Sequence, residues 1–220
     1  MIYATGIEGF SAVETKPEGL VVSFDSSGGS GVPYIDKSGT LVPSDNGPET
    51  KSGNSVINDG MTVYVNGSVG ATVDLSTGLY GTAVNIDASS STGYNQLAGN
   101  AAANIILGGS FGNFIWGGED TANDILVGGY GYGSAIFVSG KNEGSDSIIN
   151  AGIYDTVFLR DVTVSDIVAT SSDGNTVGIL FNTGNVLTVS GTSAASADFK
   201  LADGSRYWYD FSSKEWYQST

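Results

Sequence analysis

The 220-residue chain contains no cysteine and no histidine. Without cysteine there is no disulfide, no thiolate nucleophile and no sulfur ligand for a metal. Without histidine the commonest general base and the commonest transition-metal ligand are missing, and with them every Ser-His-Asp arrangement. A conventional hydrolase or zinc enzyme is therefore disfavoured, and the chain is expected to be a non-enzyme with no catalytic residue.

Basic residues are scarce: 8 Lys and Arg stand against 23 Asp and Glu, a formal charge of −15. Such a chain repels nucleic acid and anionic lipid, which are held largely by Lys and Arg, so the expected partners are cations or neutral molecules. No apolar run approaches a membrane span, and no membrane insertion is expected. The opening Met1-Ile2-Tyr3-Ala4-Thr5-Gly6 carries neither the basic nor the apolar stretch of a secretory leader.

Proline is limited to 4 copies, all at or before residue 48, whereas glycine reaches 33. Only 14% of residues are charged, which fits neither a disordered linker nor, without a Gly-X-Y period, collagen. The glycines instead punctuate short strands. Residues 1–54 are proline-interrupted and hold few apolar residues; they are expected to form an irregular N-terminal arm or cap.

From about residue 55 short apolar segments alternate with Gly, Asn, Asp and Ser. They are Ser55–Ile57, Met61–Val65, Ala71–Leu75, Ala83–Ile86, Gln96–Leu97, Asn104–Leu107, Phe114–Trp116, Ile125–Val127, Ile136–Val138 and Ser147–Ile149. Their spacing of roughly ten residues is close to a β-solenoid period, and each segment is too short to bury a face alone. Residues 55–152 are therefore expected to stack as a parallel β-roll or β-helix. Leu107, Ile115, Leu126 and Ile136 are expected in its axial core. After Gly152 longer strands with turns at Asp173-Gly174 and Thr183-Gly184 predict an antiparallel C-terminal cap over 153–220. The fold class is all-β.

The stretch Gly108-Gly109-Ser110-Phe111-Gly112-Asn113-Phe114-Ile115-Trp116, followed by Gly117-Gly118-Glu119-Asp120-Thr121-Ala122-Asn123-Asp124-Ile125-Leu126-Val127 and Gly128-Gly129, resembles the RTX, or haemolysin-type calcium-binding, nonapeptide G-G-x-G-x-D-x-U-x. The inward U matches Ile115 and Leu126. Weaker turns precede it at Asn95–Asn100 and Ala102–Ile105, and the likeness covers about residues 60–190. It implies a parallel β-roll, secretion by a type I route with an uncleaved C-terminal signal, and an extracellular or cell-surface location. The departures are specific: the metal-binding Asp is Asn113 in the first repeat, survives as Asp124 in the second and aligns near Gly133 in the third. Calcium prefers six to eight oxygens including carboxylates, so at most one or two ions are expected. Asp124 is the best candidate ligand, assisted by Asp120 and the carbonyls of Gly117 and Gly118.

Like-facing corners recurring every eighteen to twenty residues group Asn104, Asp124 and Asp146 on one side, and Asn95, Asn113 and Gly133 on the other. The second side, lacking a carboxylate, is expected to be an Asn ladder. The acidic pairs Glu119/Asp120 and Asp203/Asp210 are expected to be surface acids rather than a glycosidase pair. The aromatics Tyr207, Trp208, Tyr209, Phe211, Trp216 and Tyr217 are expected to pack the cap rather than bind sugar.

These readings predict a self-assembling extracellular scaffold of surface-layer, fibre or adhesin type. Its association would be homo-oligomeric or polymeric, with Leu20, Val21, Val22 and Phe24 supplying an exchanged strand. The alternative is a calcium- or carbohydrate-binding module, the latter meeting cell-surface carbohydrate.

Overall fold

Short strands cannot bury a face on their own, and the chain solves this by stacking them in register along two sheets. The computed structural model describes residues 10–12, 22–24, 34–35, 41–42, 54–131, 133–191 and 196–219. It divides into two units, Met1–Ser52 and Gly53–Thr220. In the first, β1 (Phe10–Ala12) pairs antiparallel with β2 (Val22–Phe24), and β3 (Tyr34–Ile35) with β4 (Leu41–Val42).

The second unit opens with the hairpin β5 (Asn54–Asn58) and β6 (Thr62–Gly67). Strands then alternate between two sheets: β7 (Thr72–Asp74), β8 (Asn85–Asp87), β9 (Tyr94–Ala98), β10 (Ile105–Leu107), β11 (Gly112–Trp116), β12 (Ile125–Val127), β13 (Ala135–Ser139), β14 (Ser147–Ala151) and β15 (Thr156–Leu159). After them come β16 (Ile167–Asp173), β17 (Thr176–Phe181), β18 (Val186–Gly191), β19 (Ser196–Leu201), β20 (Arg206–Asp210) and β21 (Glu215–Gln218). The first sheet has the order β16-β17-β18-β14-β12-β10-β8-β6-β5 and the second β21-β20-β19-β15-β13-β11-β9-β7. This is an all-β solenoid with antiparallel C-terminal strands.

Register places one core residue of every coil directly over the last. In the first sheet Val63, Ile86, Ile106, Leu126, Ile148 and Val189 form a column, each fully buried. The second sheet answers with Val73, Leu97, Ile115, Phe137, Val157 and Phe199. Burying one such side chain is worth about 1.5–3 kcal/mol, so the two columns supply the stack's main cohesion.

The centre of each three-residue strand β8, β10 and β12 points inward, with its neighbours half-buried or exposed. Ile115 and Leu126 occupy the core as expected. Leu107 and Ile136 do not: Ile106 and Phe137 take the core positions, and the expected pair point outward. A strand's side chains alternate, so a one-residue slip reverses every face. In Ile105-Ile106-Leu107 all three residues are apolar, and hydropathy alone does not set the phase.

The parallel stack also runs beyond residue 152. Both β18 and β19 pair parallel with β14 and β15, adding a further coil before the chain turns antiparallel. The residues 167–181 hairpin delays that coil by about 40 positions and hides the repeat. Among the described residues no helix is long and apolar enough to cross a membrane, which does not bear on β-barrels.

Candidate functional site

Three consecutive corners lead from the second sheet back to the first: Gly99–Asn104, Gly117–Asp124 and Gly140–Asp146. Each starts on glycine and ends on Asn or Asp just before a strand. The final side chain is the structural element. Asp124 Oδ1 accepts the Asn104 N–H at 2.8 Å, and Asp146 Oδ1 accepts the Asp124 N–H at 3.1 Å. Asn104 Nδ2 donates to the Val84 carbonyl at 2.7 Å, and its Oδ1 accepts the Asn100 N–H at 2.9 Å. The expected grouping of Asn104, Asp124 and Asp146 is therefore a continuous ladder that satisfies backbone donors between coils.

The glycines make room for it. A Cβ on Gly117 would collide with the Asp124 carboxylate, and Gly118 adopts φ +137°, a conformation that disfavours any other residue. Asp120 Oδ1 accepts the Ala122 N–H at 2.6 Å, while its Oδ2 is buried with no hydrogen-bond partner. Burial pushes the Asp124 carboxyl up to about 7, with Asp146, Asp120 and Glu143 adding repulsion. Burial likewise raises Asp146 to about 6, and raises Asp120. Protonation is the cheapest way for so acidic a corner to shed charge.

Asp120, Asp124, Gly117 and Gly118 thus do share one corner. Yet Asp124 Oδ1 is committed to a backbone N–H, and Asp146 Oδ2 to the Ser139 hydroxyl at 2.8 Å. Among the described residues no three acidic, His or Cys side chains gather in a metal-holding group. Two of these oxygens are thus already used by the protein's own hydrogen bonds, while calcium takes six to eight.

A cationic clamp beside the ladder escaped sequence reasoning. Arg160 bonds Glu143 through Nε, pairs with Glu119 at 2.5 Å through Nη1, and lies 5.5 Å from the centre of the Trp116 ring. Trp116 Nε1 donates to Glu143 Oε2 at 3.3 Å. One guanidinium therefore ties three successive corners together. Burial pushes Glu143 up to about 7 despite the opposing pull of Arg160. The only signal in the sequence is the rarity of arginine, with Arg206 the second of two.

On the opposite side Asn95 Nδ2 donates to Asn113 Oδ1 at 3.1 Å, giving the expected Asn ladder. Asn113 also closes its own turn, accepting the Gly109 N–H at 2.8 Å and donating to the Gly109 carbonyl at 2.7 Å. The next place in the column belongs to Ala135, not Gly133, and the one after to Asp155. Asp155 accepts the N–H groups of Ala135 and Gly152, both at 2.7 Å, so this side does carry a carboxylate.

Of the proposed exchange segment, Val22 and Phe24 lie in β2 opposite Ala12 and Phe10, and Leu20 and Val21 fall outside the described residues. Asp203 and Asp210 serve their own turns, accepting the N–H groups of Ser205 at 2.9 Å and Ser212 at 2.7 Å. Among the aromatics Tyr209, Phe211 and Trp216 pack the C-terminal core. Trp208 and Tyr217 stack on its outer face with centroids 5.7 Å apart.

No family model matches the chain, and no curated protein or solved structure shows significant similarity to it.

Proposed function

We propose that the protein is an extracellular structural module that self-assembles into a surface layer, fibre or adhesin-type scaffold. The observation that carries this reading is β16. It is the outermost strand of its sheet, seven residues long, and exposed from Val168 to Asp173. Edge strands are ordinarily guarded by Lys, Pro, bulges or brevity; β16 has an irregularity only at its start, between Ile167 and Ala169, and Ala169-Thr170-Ser171-Ser172 carries no charge or proline. Its free backbone groups suit an added strand from a second copy, and a heterologous contact of that kind propagates into filaments unless it closes. The Leu20–Phe24 segment is the proposed donor.

Sedimentation velocity over a wide concentration range tests this. The native chain is expected to associate, and Val168→Lys, which places a charge on the open edge, to suppress association. A native chain that stays monomeric throughout overturns the reading.

The second reading is a binding module. For calcium it rests on the unpartnered Asp120 Oδ2, with Asp124 and the Gly117 and Gly118 carbonyls completing one site. Calorimetry is expected to find one or two ions at most, and a ladder of tight sites would contradict it. For a carbohydrate it rests on the exposed Trp208/Tyr217 pair. The RTX-like motif supports release by type I secretion to the cell surface.

A further inference from the structure

At the C-terminal end, between the two sheets, lies an apolar pocket of about 230 Å³ that is open to solvent on one side. Its floor is Ile179, Phe199 and Leu201, all buried, and its walls include Ile167, Tyr207 and Trp216. Exposed Val164 and Thr170 stand at its rim. No charged side chain lines it, and its polar atoms come only from Thr170, Tyr207, Trp216 and the backbone.

Protein interiors are packed like organic crystals, so an apolar recess of this size leaves its aliphatic and aromatic lining short of dispersion contacts. Water entering from the open side finds few polar partners on these walls, where each molecule needs two to four. A dry apolar cavity of roughly 150 Å³ holds benzene, so this one has room for about eight to ten carbon atoms. A peptide segment is disfavoured inside the pocket, because the walls offer few partners for its N–H and C=O groups and only the outer edge of β16, beside the mouth, offers any.

Charge narrows the class further. The chain carries −15. Of the cations next to lining residues, Arg160 pairs with Glu119 and Glu143, Arg206 Nε meets Asp198 at 2.8 Å, and Lys200 alternates to the face of β19 opposite the buried Phe199 and Leu201. An anionic amphiphile therefore meets no cation among the lining side chains.

We propose that this cavity is a binding site for an uncharged apolar small molecule of about eight to ten carbon atoms. The site is separate from the acidic corners, but it shares Ile167 and Thr170 with β16, the proposed assembly edge.

Titration of the full chain with 1-octanol, followed by calorimetry and by tryptophan fluorescence through Trp216, tests it. Saturable binding is expected with a dissociation constant on the order of 0.1–1 mM, in keeping with nine heavy atoms making only apolar contacts. Octanoate at pH 8 is expected to bind at least about tenfold more weakly. Thr170→Trp and Val164→Trp, both at exposed positions, place an indole across the mouth, and each is expected to cut octanol affinity by about tenfold or more. Absence of saturable binding, equal binding by both variants, or octanoate binding as tightly as octanol overturns the proposal. So does loss of self-association in both variants without any octanol binding by the native chain, because the occupant is then a side chain of a second copy.

Discussion

Replacing Ile106 and its neighbour Leu107 by alanine, one at a time, probes the register on which the stack depends. Ile106 is fully buried, with Ile86 above it and Leu126 below in the same column. Losing about three carbons removes roughly 2.4 kcal/mol of transfer free energy at about 0.8 per methylene. Ladder hydrogen bonds on both sides hold the backbone in place, so the hole collapses little and the total is expected near 3–4 kcal/mol. Leu107 is half-buried and points outward, and its truncation is expected to cost about 1 kcal/mol or less. A difference of about 2 kcal/mol or more corresponds to roughly 4–8 °C in Tm for a unit of this size. Urea unfolding followed by far-UV circular dichroism, with unchanged m-value, measures both. Equal losses, or a larger loss at Leu107, refute the register.

Stability should fall as pH rises. The folded carboxyls of Asp124 and Glu143 near 7 and Asp146 near 6 lie above their unfolded values near 4. Their contribution is complete below about pH 4, is lost as pH climbs through 6 to 7, and Asp124→Asn should flatten the urea-midpoint profile. Asn113→Ala removes the acceptor of the Gly109 N–H, a donor to the Gly109 carbonyl and one of the two bonds of Asn95 Nδ2, all buried; at about 1–3 kcal/mol for each orphaned group, a loss of several kcal/mol is expected by thermal melting. Tyr209→Phe is expected to be neutral or stabilising by up to about 1 kcal/mol, because the buried hydroxyl has no partner; a clear loss in the same melt would contradict that.

The solenoid was legible because Gly and Asn corners break the chain at nearly equal intervals, and the grouping of Asn104, Asp124 and Asp146 followed from that period, whereas on the other side the same count fell on Gly133 instead of Ala135. Phase was not legible in Ile105-Ile106-Leu107 or Ala135-Ile136-Phe137-Val138, where uniformly apolar residues carry no alternation. β16 escaped because its exposed Ser and Thr residues have no apolar face to announce it. β19 does alternate, with Ala197, Phe199 and Leu201 inward, but Asp198 and Lys200 between them leave no apolar run to mark it. In the acidic corner the sequence brings Asp120 and Asp124 together but does not say which of their oxygens are used. Which lone pair accepts a backbone N–H depends on the coil above, some twenty residues away. The Arg160 clamp spans three coils and leaves no local pattern at all.

Electron microscopy of the purified 220-residue chain, across concentrations and with Val168→Lys alongside, tests the scaffold account most directly. The account predicts filaments or lattices of the native protein that the charged edge abolishes; dispersed single particles of the native chain under every condition would contradict it.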